Sequence, residues 1–569
     1  MKPRISSVIV RLGCPCLLFL TGLVGLAHSQ EGFRAVDQQP VTEVSSILDR
    51  GSQLEEQRRW GEALSHYEDA ARRYPDDSKL KDRVVVARLH FDLSRRYADR
   101  SYLRLMKEMN EQQTLDLYSE VISKIQSHYV HEPDWNDLMR RGTDGLAIAL
   151  SEPGYSETHR LRLDGEQCDA LIKYVHQVLA QRDVRDRRQA QELVRWVGQL
   201  AERRLNVPPT SVILEYMCGA MSSLDPYSTY LTGDQLDEVY SQIEGNFVGL
   251  GIELKGEDGT LLIADVIPNG PADRAGLRAG ERIVEVDGQS TRDLSTDRAA
   301  DLLKGEQGTY VEVALLNPAG RTRRLQVRRE RVEVPSVEDI KIVDASTGVG
   351  YFRISSFQKT TSRDVDAALW KLHREGMRSL IIDVRGNPGG LLNEAVEVVD
   401  RFVVDGRIVA THGRSQRENY DYKAHRVGTW RVPLVVLIDG DSASASEIFA
   451  GAIRDHERGT IVGDRSYGKG SVQGIFPLRS VKAGVRLTTA KFYSPKMRAI
   501  SDGGVEPNVT VQTRLRPDFD SGDATDRDRD EVLTAAVRIA REELASRQNR
   551  DALDRSAQAD RAALSAGTR

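Results

Sequence analysis

The chain has 569 residues, more than one hydrophobic core organises, so roughly three or four domains are expected. Its 40% hydrophobic and 29% charged residues are those of a soluble globular protein, and 80 basic against 85 acidic residues leave a net charge of −5. That balance gives no electrostatic basis for nucleic-acid binding. No zinc-type cysteine spacing or phosphate-cradling loop is present, so neither a cofactor nor a metal is expected.

In chain order, Lys2, Arg4 and Arg11 precede an apolar run at 12–26, and Ala27-His28-Ser29 supplies small residues for cleavage before Gln30. Residues 1–29 therefore read as a signal peptide, with an uncleaved membrane anchor as the alternative. Both readings export the remainder, to the periplasm or cell envelope, and no other stretch is apolar and long enough to span a bilayer. Cys14 and Cys16 fall inside this segment. Cys168 and Cys218 remain, either as a pair or as two buried thiols.

Residues 30–110 read as helical. Within them, Gly51, Leu54, Trp60, Gly61, Ala63, Leu64, Tyr67, Ala70 and Pro75 alternate small, large and breaking residues over 46–79, which resembles one tetratricopeptide repeat. A single unit cannot bury both faces, so a following helix at about 79–97 or a partner is expected to complete it. An ordinary helical hairpin is the plainer reading. Residues 111–236 continue as amphipathic helix, at 115–150 and again at 166–205, where Leu171, Val175, Leu179, Leu193, Val197 and Leu200 keep helical spacing. Pro208-Pro209 marks a boundary. Short strands with Gly and Asp turns begin near Phe247, and from Gly348 strands alternate with helices, which argues for an α/β core at 333–516. The acidic stretch 518–530 reads as a solvated linker, and 517–569 as linker, helix and polar tail.

Three segments carry chemistry. Asp441-Ser442-Ala443-Ser444-Ala445-Ser446-Glu447 follows an apolar strand at 435–438 and precedes a helical stretch. A small-residue strand-to-helix turn can expose a nucleophile beside N–H groups that bind an anion; a Ser-rich helix cap explains the composition equally well. Lys469 sits between Gly468 and Gly470, near Val462 and Val472. Glycines let a backbone approach closely, and burial lowers an amine pKa so that it can accept a proton from serine; an exposed turn lysine is the alternative. Finally, the apolar run 380–384 enters Arg385-Gly386-Asn387-Pro388-Gly389-Gly390, a turn that either aims an N–H at an oxyanion or simply connects strand to helix.

These motifs, with Lys491-Phe492-Tyr493-Ser494-Pro495 downstream and Ser223-Leu224-Asp225-Pro226-Tyr227-Ser228 upstream, closely resemble the carboxyl-terminal processing peptidases, or tail-specific proteases. The resemblance implies a ClpP/crotonase-like α/β protease core with an inserted, mostly β, PDZ domain and an α-helical N-terminal region. It implies that Ser444 is the nucleophile, Lys469 the general base and Gln473 the residue that orients the lysine. The oxyanion hole would combine the N–H of Ala445 with that of Gly390, or alternatively Gly389. Tyr227 stands where the family commonly has His, and Gly386 where it often has Asn. His456, between Asp455 and Glu457, reads as an exposed helix end.

Residues 237–332 resemble a PDZ domain. Gly249, Leu250, Gly251 and Ile252 correspond to its carboxylate-binding loop, the segment 271–283 to its protease-type signature, and a helix at 296–303 to the far wall of its groove. Protein substrates would bind there through their C-termini. The family core contains neither the repeat-like N-terminus nor the insertion at 151–208; these are expected to contact an adaptor or a second copy, with a plain thickening of the scaffold as the alternative. A catalytically silent PDZ and helical-repeat scaffold is the competing reading.

Overall fold

The computed structural model describes residues 9–10, 39–222, 224–257, 260–292, 302–425, 428–501, 503–511 and 530–566. Most of the expected signal peptide, most of the expected acidic linker and most of the expected PDZ helix lie outside these residues. No helix among the described residues is long and apolar enough to cross a membrane.

Helices α1 (Gln39–Glu56) and α2 (Trp60–Arg73) form an antiparallel hairpin, and α3 (Ser78–Ala98) packs beside it. Gly51 makes the hairpin possible: a Cβ there would lie 2.2 Å from the Tyr67 ring. Ile47, Leu54, Ala63, Tyr67 and Ala70 share a core with Leu80 and Ala87 of α3, so the third helix does cover the open face. The hairpin is fixed to the helices beyond it through Glu152. That carboxylate accepts from Arg58 at 2.6 Å and pairs with His90 at 2.6 Å, and Trp60 stacks on the His90 ring at 3.7 Å.

The two long helical stretches each break once. Glu111–His128 and Trp135–Ser151 are separated at Pro133, with Asp134 capping the second helix, and Gly165–Ala180 and Arg187–Leu205 are separated ahead of the Asp186 cap. Pro209–Ser222 starts at the expected proline boundary and runs through the centre of this layer, buried from Ser211 to Met221. Close approach of two glycines, Gly145 and Gly219, lets it touch Trp135–Ser151. Its Glu215 accepts from Arg96 at 2.6 Å and from the Tyr102 hydroxyl at 2.9 Å, which pairs and hydrogen-bonds the buried charge. Cys168 and Cys218 are both buried free thiols.

A small antiparallel sheet runs Ile252–Glu257, Thr260–Val266, Arg282–Val286, Tyr310–Leu316, Thr322–Arg328, around a core that includes Leu254, Ile263, Ile283 and Val313. It leaves the rest of the chain through one two-stranded ribbon, Asn246–Gly249 against Glu330–Glu333. Its edge strand Ile252–Glu257 takes Ile9–Val10 as an antiparallel partner.

The main sheet orders Val337–Asp344, Val349–Ile354, Ser379–Asp383, Leu434–Ile438, Thr460–Gly463 and Val509–Thr510; all but the first pairing are parallel. Strands buried on both faces read as continuous apolar runs, as residues 380–384 and 434–438 do. Leu380, Ile382, Val436 and Ile438 face the helices Thr361–Arg374, Leu392–Asp400 and Ala445–Asp455. Ile381, Val435, Leu437 and Val462 face Val532, Ala536, Ile539 and Ala540 of the helix Glu531–Ala566. The C-terminal helix is thus a structural layer, clamped by Arg541 on Asp344 and by Arg385 between Asp383 and Asp530. A second, antiparallel sheet contains Arg407–Gly413, Tyr420–Lys423, Ser471–Pro477 and Gly484–Tyr493, with Thr229–Leu231 on the last. His456 is not an exposed helix end; the room left by Gly406 lets its ring nitrogen reach the Arg407 carbonyl at 2.7 Å.

Burying an unpaired carboxylate beneath the last helix should detach it. Ala536→Asp is expected to cost about 3 kcal/mol; limited proteolysis should then cut within 530–566, and the melting temperature should fall.

Candidate active site

The three chemistry-bearing segments leave the carboxyl ends of three neighbouring parallel strands, Ser379–Asp383, Leu434–Ile438 and Thr460–Gly463, where open α/β sheets form their crevices. This topology brings residues 384–390, 439–444 and 464–470 together.

The serine turn is locked first. Asp439 accepts from the Gly386 N–H at 2.9 Å and from the Asp441 N–H at 3.1 Å. Ser442 and Ser446 are fully buried, and their hydroxyls donate to the carbonyls of Val384 at 2.9 Å and Asn387 at 3.0 Å. Ser444 differs: it is only partly buried and holds φ 54°, ψ −110° at the residue before Ala445–Asp455. A non-glycine residue at positive φ costs of order 1–3 kcal/mol and persists where its surroundings enforce it. Such a strained strand-to-helix turn lifts a side chain out of the surface at a helix N-terminus. Of the three serines, the geometry singles out Ser444.

The glycine turn lies directly against it. Gly389 and Gly390 hold φ 107° and 138°. A Cβ on Gly389 would fall 2.8 Å from Ser444 Cβ and 2.9 Å from the Ala445 nitrogen; one on Gly390 would fall 2.1 Å from the Phe357 carbonyl. Asn387, fully buried, organises the turn. Its Nδ2 donates to Ile354 O at 2.9 Å, its Oδ1 accepts from Gly389 N–H at 2.8 Å, and its carbonyl accepts from Ala443 N–H at 3.0 Å. The Gly389 N–H is therefore engaged within the turn.

The lysine segment is bound to the serine turn by a residue that sequence reasoning passed over. Glu447, fully buried in the first turn of the Ala445–Asp455 helix, accepts from four donors. Oε2 takes the backbone N–H of Ser444 at 2.8 Å and of Lys469 at 2.9 Å. Oε1 takes the Ser466 hydroxyl at 2.6 Å and the Gly468 N–H at 2.7 Å. Burial pushes the Glu447 carboxyl up from its ordinary pKa, and these donors pull it back. The Ser444-x-x-Glu447 spacing of a capping box could have revealed the link to Ser444, since that pattern sends a carboxylate back to the N-cap N–H. Nothing local could have revealed the link to 466–469.

Both lysine glycines meet steric demands. Gly468 has φ 93°, and a Cβ on Gly470 would sit 2.3 Å from the Ser501 nitrogen. Lys469 is partly buried, its Nζ 4.8 Å from the centroid of Tyr227, which forms one wall of a cleft of about 200 Å³ with Tyr129, His131, Asp225 and Lys491. Asp225 shapes that wall by accepting from the N–H groups of Tyr227 and Ser228. Gln473 lies on the next strand with its amide on Ser471, donating to Oγ at 2.9 Å. In the PDZ-like sheet, the Leu250 and Gly251 carbonyls accept from Ala272 and Ile267 N–H, which ties the 249–252 loop to the domain beside the Ile252–Glu257 edge.

Residues 348–511 match peptidase family S41 and residues 262–329 match a PDZ domain. The carboxy-terminal-processing protease of Bartonella bacilliformis is 36% identical over 313 residues, 54% of this chain and 71% of that protein. The carboxy-terminal processing protease CtpB of Bacillus subtilis is 32% identical over 311 residues, 53% of this chain and 62% of that one. Among solved structures, a photosystem II D1 C-terminal processing protease is 26% identical with a TM-score of 0.37, over 71% of this chain and 94% of that chain.

Replacing Glu447 by Gln puts an amide NH2 against donors that need an acceptor, at about 1–3 kcal/mol for each donor left unpaired. Glu447→Gln is expected to lower peptide cleavage by about a hundred-fold while the circular dichroism spectrum keeps its folded shape.

Proposed function

Because this chain belongs to the carboxy-terminal-processing proteases of peptidase family S41, we propose that it is an exported endopeptidase that cleaves peptide bonds of protein substrates with a Ser444–Lys469 dyad. The observation that carries the reading is the Glu447 carboxylate, which holds the backbone of both residues on one oxygen, at 2.8 and 2.9 Å. A carboxylate in that place fixes the backbone of nucleophile and base to one point and engages neither side chain.

Neutral Lys469 accepts the Ser444 proton as Oγ attacks the scissile carbonyl. The resulting ammonium protonates the leaving amine, and the amine form then activates the water that releases the acyl group. The oxyanion develops beside the Ala445 N–H at the helix start and the Gly390 N–H, since that of Gly389 is engaged by Asn387. Gln473 orients the lysine once its amide leaves Ser471.

Substrates are selected by their C-termini. The 249–252 loop captures the terminal carboxylate and the tail extends the Ile252–Glu257 edge as an added strand, as PDZ domains bind peptides. Residues 1–29 direct export to the periplasm or cell envelope, and the repeat-like N-terminus and the 151–208 helices offer surfaces for an adaptor or a second copy.

Ser444→Ala and Lys469→Ala should each abolish cleavage of a tailed protein substrate with unchanged melting temperature; turnover retained in either variant removes the dyad. Amidating the substrate C-terminus should raise KM about ten-fold or more with little change in kcat, because it removes the charge that the loop captures. Equal KM for acid and amide would place tail recognition elsewhere.

A further inference from the structure

The lysine segment has an outer face as well as the inner one held by Glu447, and an element far away in sequence reaches it. Arg72, in the last turn of α2, lies over the Tyr467 ring with its guanidinium carbon 4.8 Å from the centroid. Tyr467 is two residues before Lys469, and its N–H donates to the Ser442 carbonyl of the serine turn at 3.0 Å. Arg72 is aimed by an ion pair with Asp69, one turn earlier on the same helix. Charges on α2 also reach the other residues around the site. Glu68, paired with Arg88 at 2.6 Å, lies close enough to act on Tyr227, whose ring sits under Lys469 Nζ. The end of α2 therefore reaches the ring of Tyr467, whose backbone is tied to the turn that carries Ser444.

We propose that Arg72 is a positioning residue for the reaction, a cation supplied by the N-terminal hairpin that presses Tyr467 down and so holds Lys469 against Ser444. This rests on the Ser444–Lys469 reading. α2 is well placed for it: Glu152 and the Trp60–His90 stack attach the hairpin to the helical layer, so Arg72 reaches the lysine segment from outside the α/β core. The contact faces outward, with the Arg72 side chain 39% exposed, and does not contribute to the hydrophobic core. Its loss should therefore alter the geometry of the lysine without unfolding the chain.

The test uses the full-length protein, a peptide substrate, and a fluorophosphonate that reads Ser444 activation without substrate recognition. Arg72→Ala should lower kcat and the labelling rate about five-fold, with KM changed by less than about two-fold and an unaltered melting temperature. Tyr467→Ala should lose a similar or larger factor, and adding Arg72→Ala to it should cost nothing further, as two residues acting through one contact require. Arg72→Lys, which keeps a cation over the ring, should recover most of the rate. Wild-type rates in Arg72→Ala, or full additivity in the double variant, overturn the proposal. A faster Arg72→Ala enzyme also overturns it, and makes α2 a cover over the site. Wild-type protein that neither cleaves nor labels overturns the dyad itself, and the proposal with it.

Discussion

A single buried carboxylate holds the site together. Glu447 sits where no water reaches it, in the first turn of a helix, and taking its charge out of water costs several kcal/mol. Three backbone N–H groups, one serine hydroxyl and the positive end of the helix offset that cost. The donors come from two segments, the serine turn at 444 and the loop at 466–469, so compensation is complete only when both are in place. The electrostatics thus make assembly of the site cooperative: a loop that drifts away leaves a buried charge short of partners. The strained backbone of Ser444 depends on the same support, since its N–H is one of the four donors.

Asn387 does for the glycine turn what Glu447 does for the lysine loop, without a charge. Its side chain and carbonyl join the turn to Ile354 on one side and to the serine motif on the other. The two devices meet on either side of Ser444. Both work because adjacent parallel strands end at the same level, so loops that are distant in sequence leave the sheet within hydrogen-bond reach of one another. Helices cover both faces of that sheet, and the C-terminal helix is as necessary to it as the helices that carry chemistry.

Much of this was legible in the residues. The runs 380–384 and 434–438 read as buried strands because both of their faces are apolar, and the motifs and their order singled out Ser444, Lys469 and the glycine turn, whose segments the parallel strands bring together. Local pattern fails where the cause lies elsewhere in the chain. Glu447 reads as an ordinary capping residue until the 466–469 loop is brought to it. The tail beyond 530 reads as a helix with a polar end, although Val532, Ala536, Ile539 and Ala540 already trace one apolar stripe. What the stripe packs against becomes clear only once the sheet is seen to need cover on its second face. The helix breaks near Pro133 and Asp186 had local signals, a proline and two caps, that continuous apolar spacing obscured.

The two grips on the lysine loop differ in strength, and this has consequences for control. The inner one is a buried carboxylate with four donors, and removing a partner from such a group costs several kcal/mol, so it does not open under working conditions. The outer one is a solvent-exposed cation over an aromatic ring, worth about 0.5–1 kcal/mol. A contact of that size can be strengthened or released by anything that shifts α2 slightly. The rigid half of the site therefore lies in the α/β core, and the adjustable half in the N-terminal hairpin. A protein bound to the hairpin would then reach the lysine loop through Arg72 and Tyr467 without disturbing the core that holds Ser444.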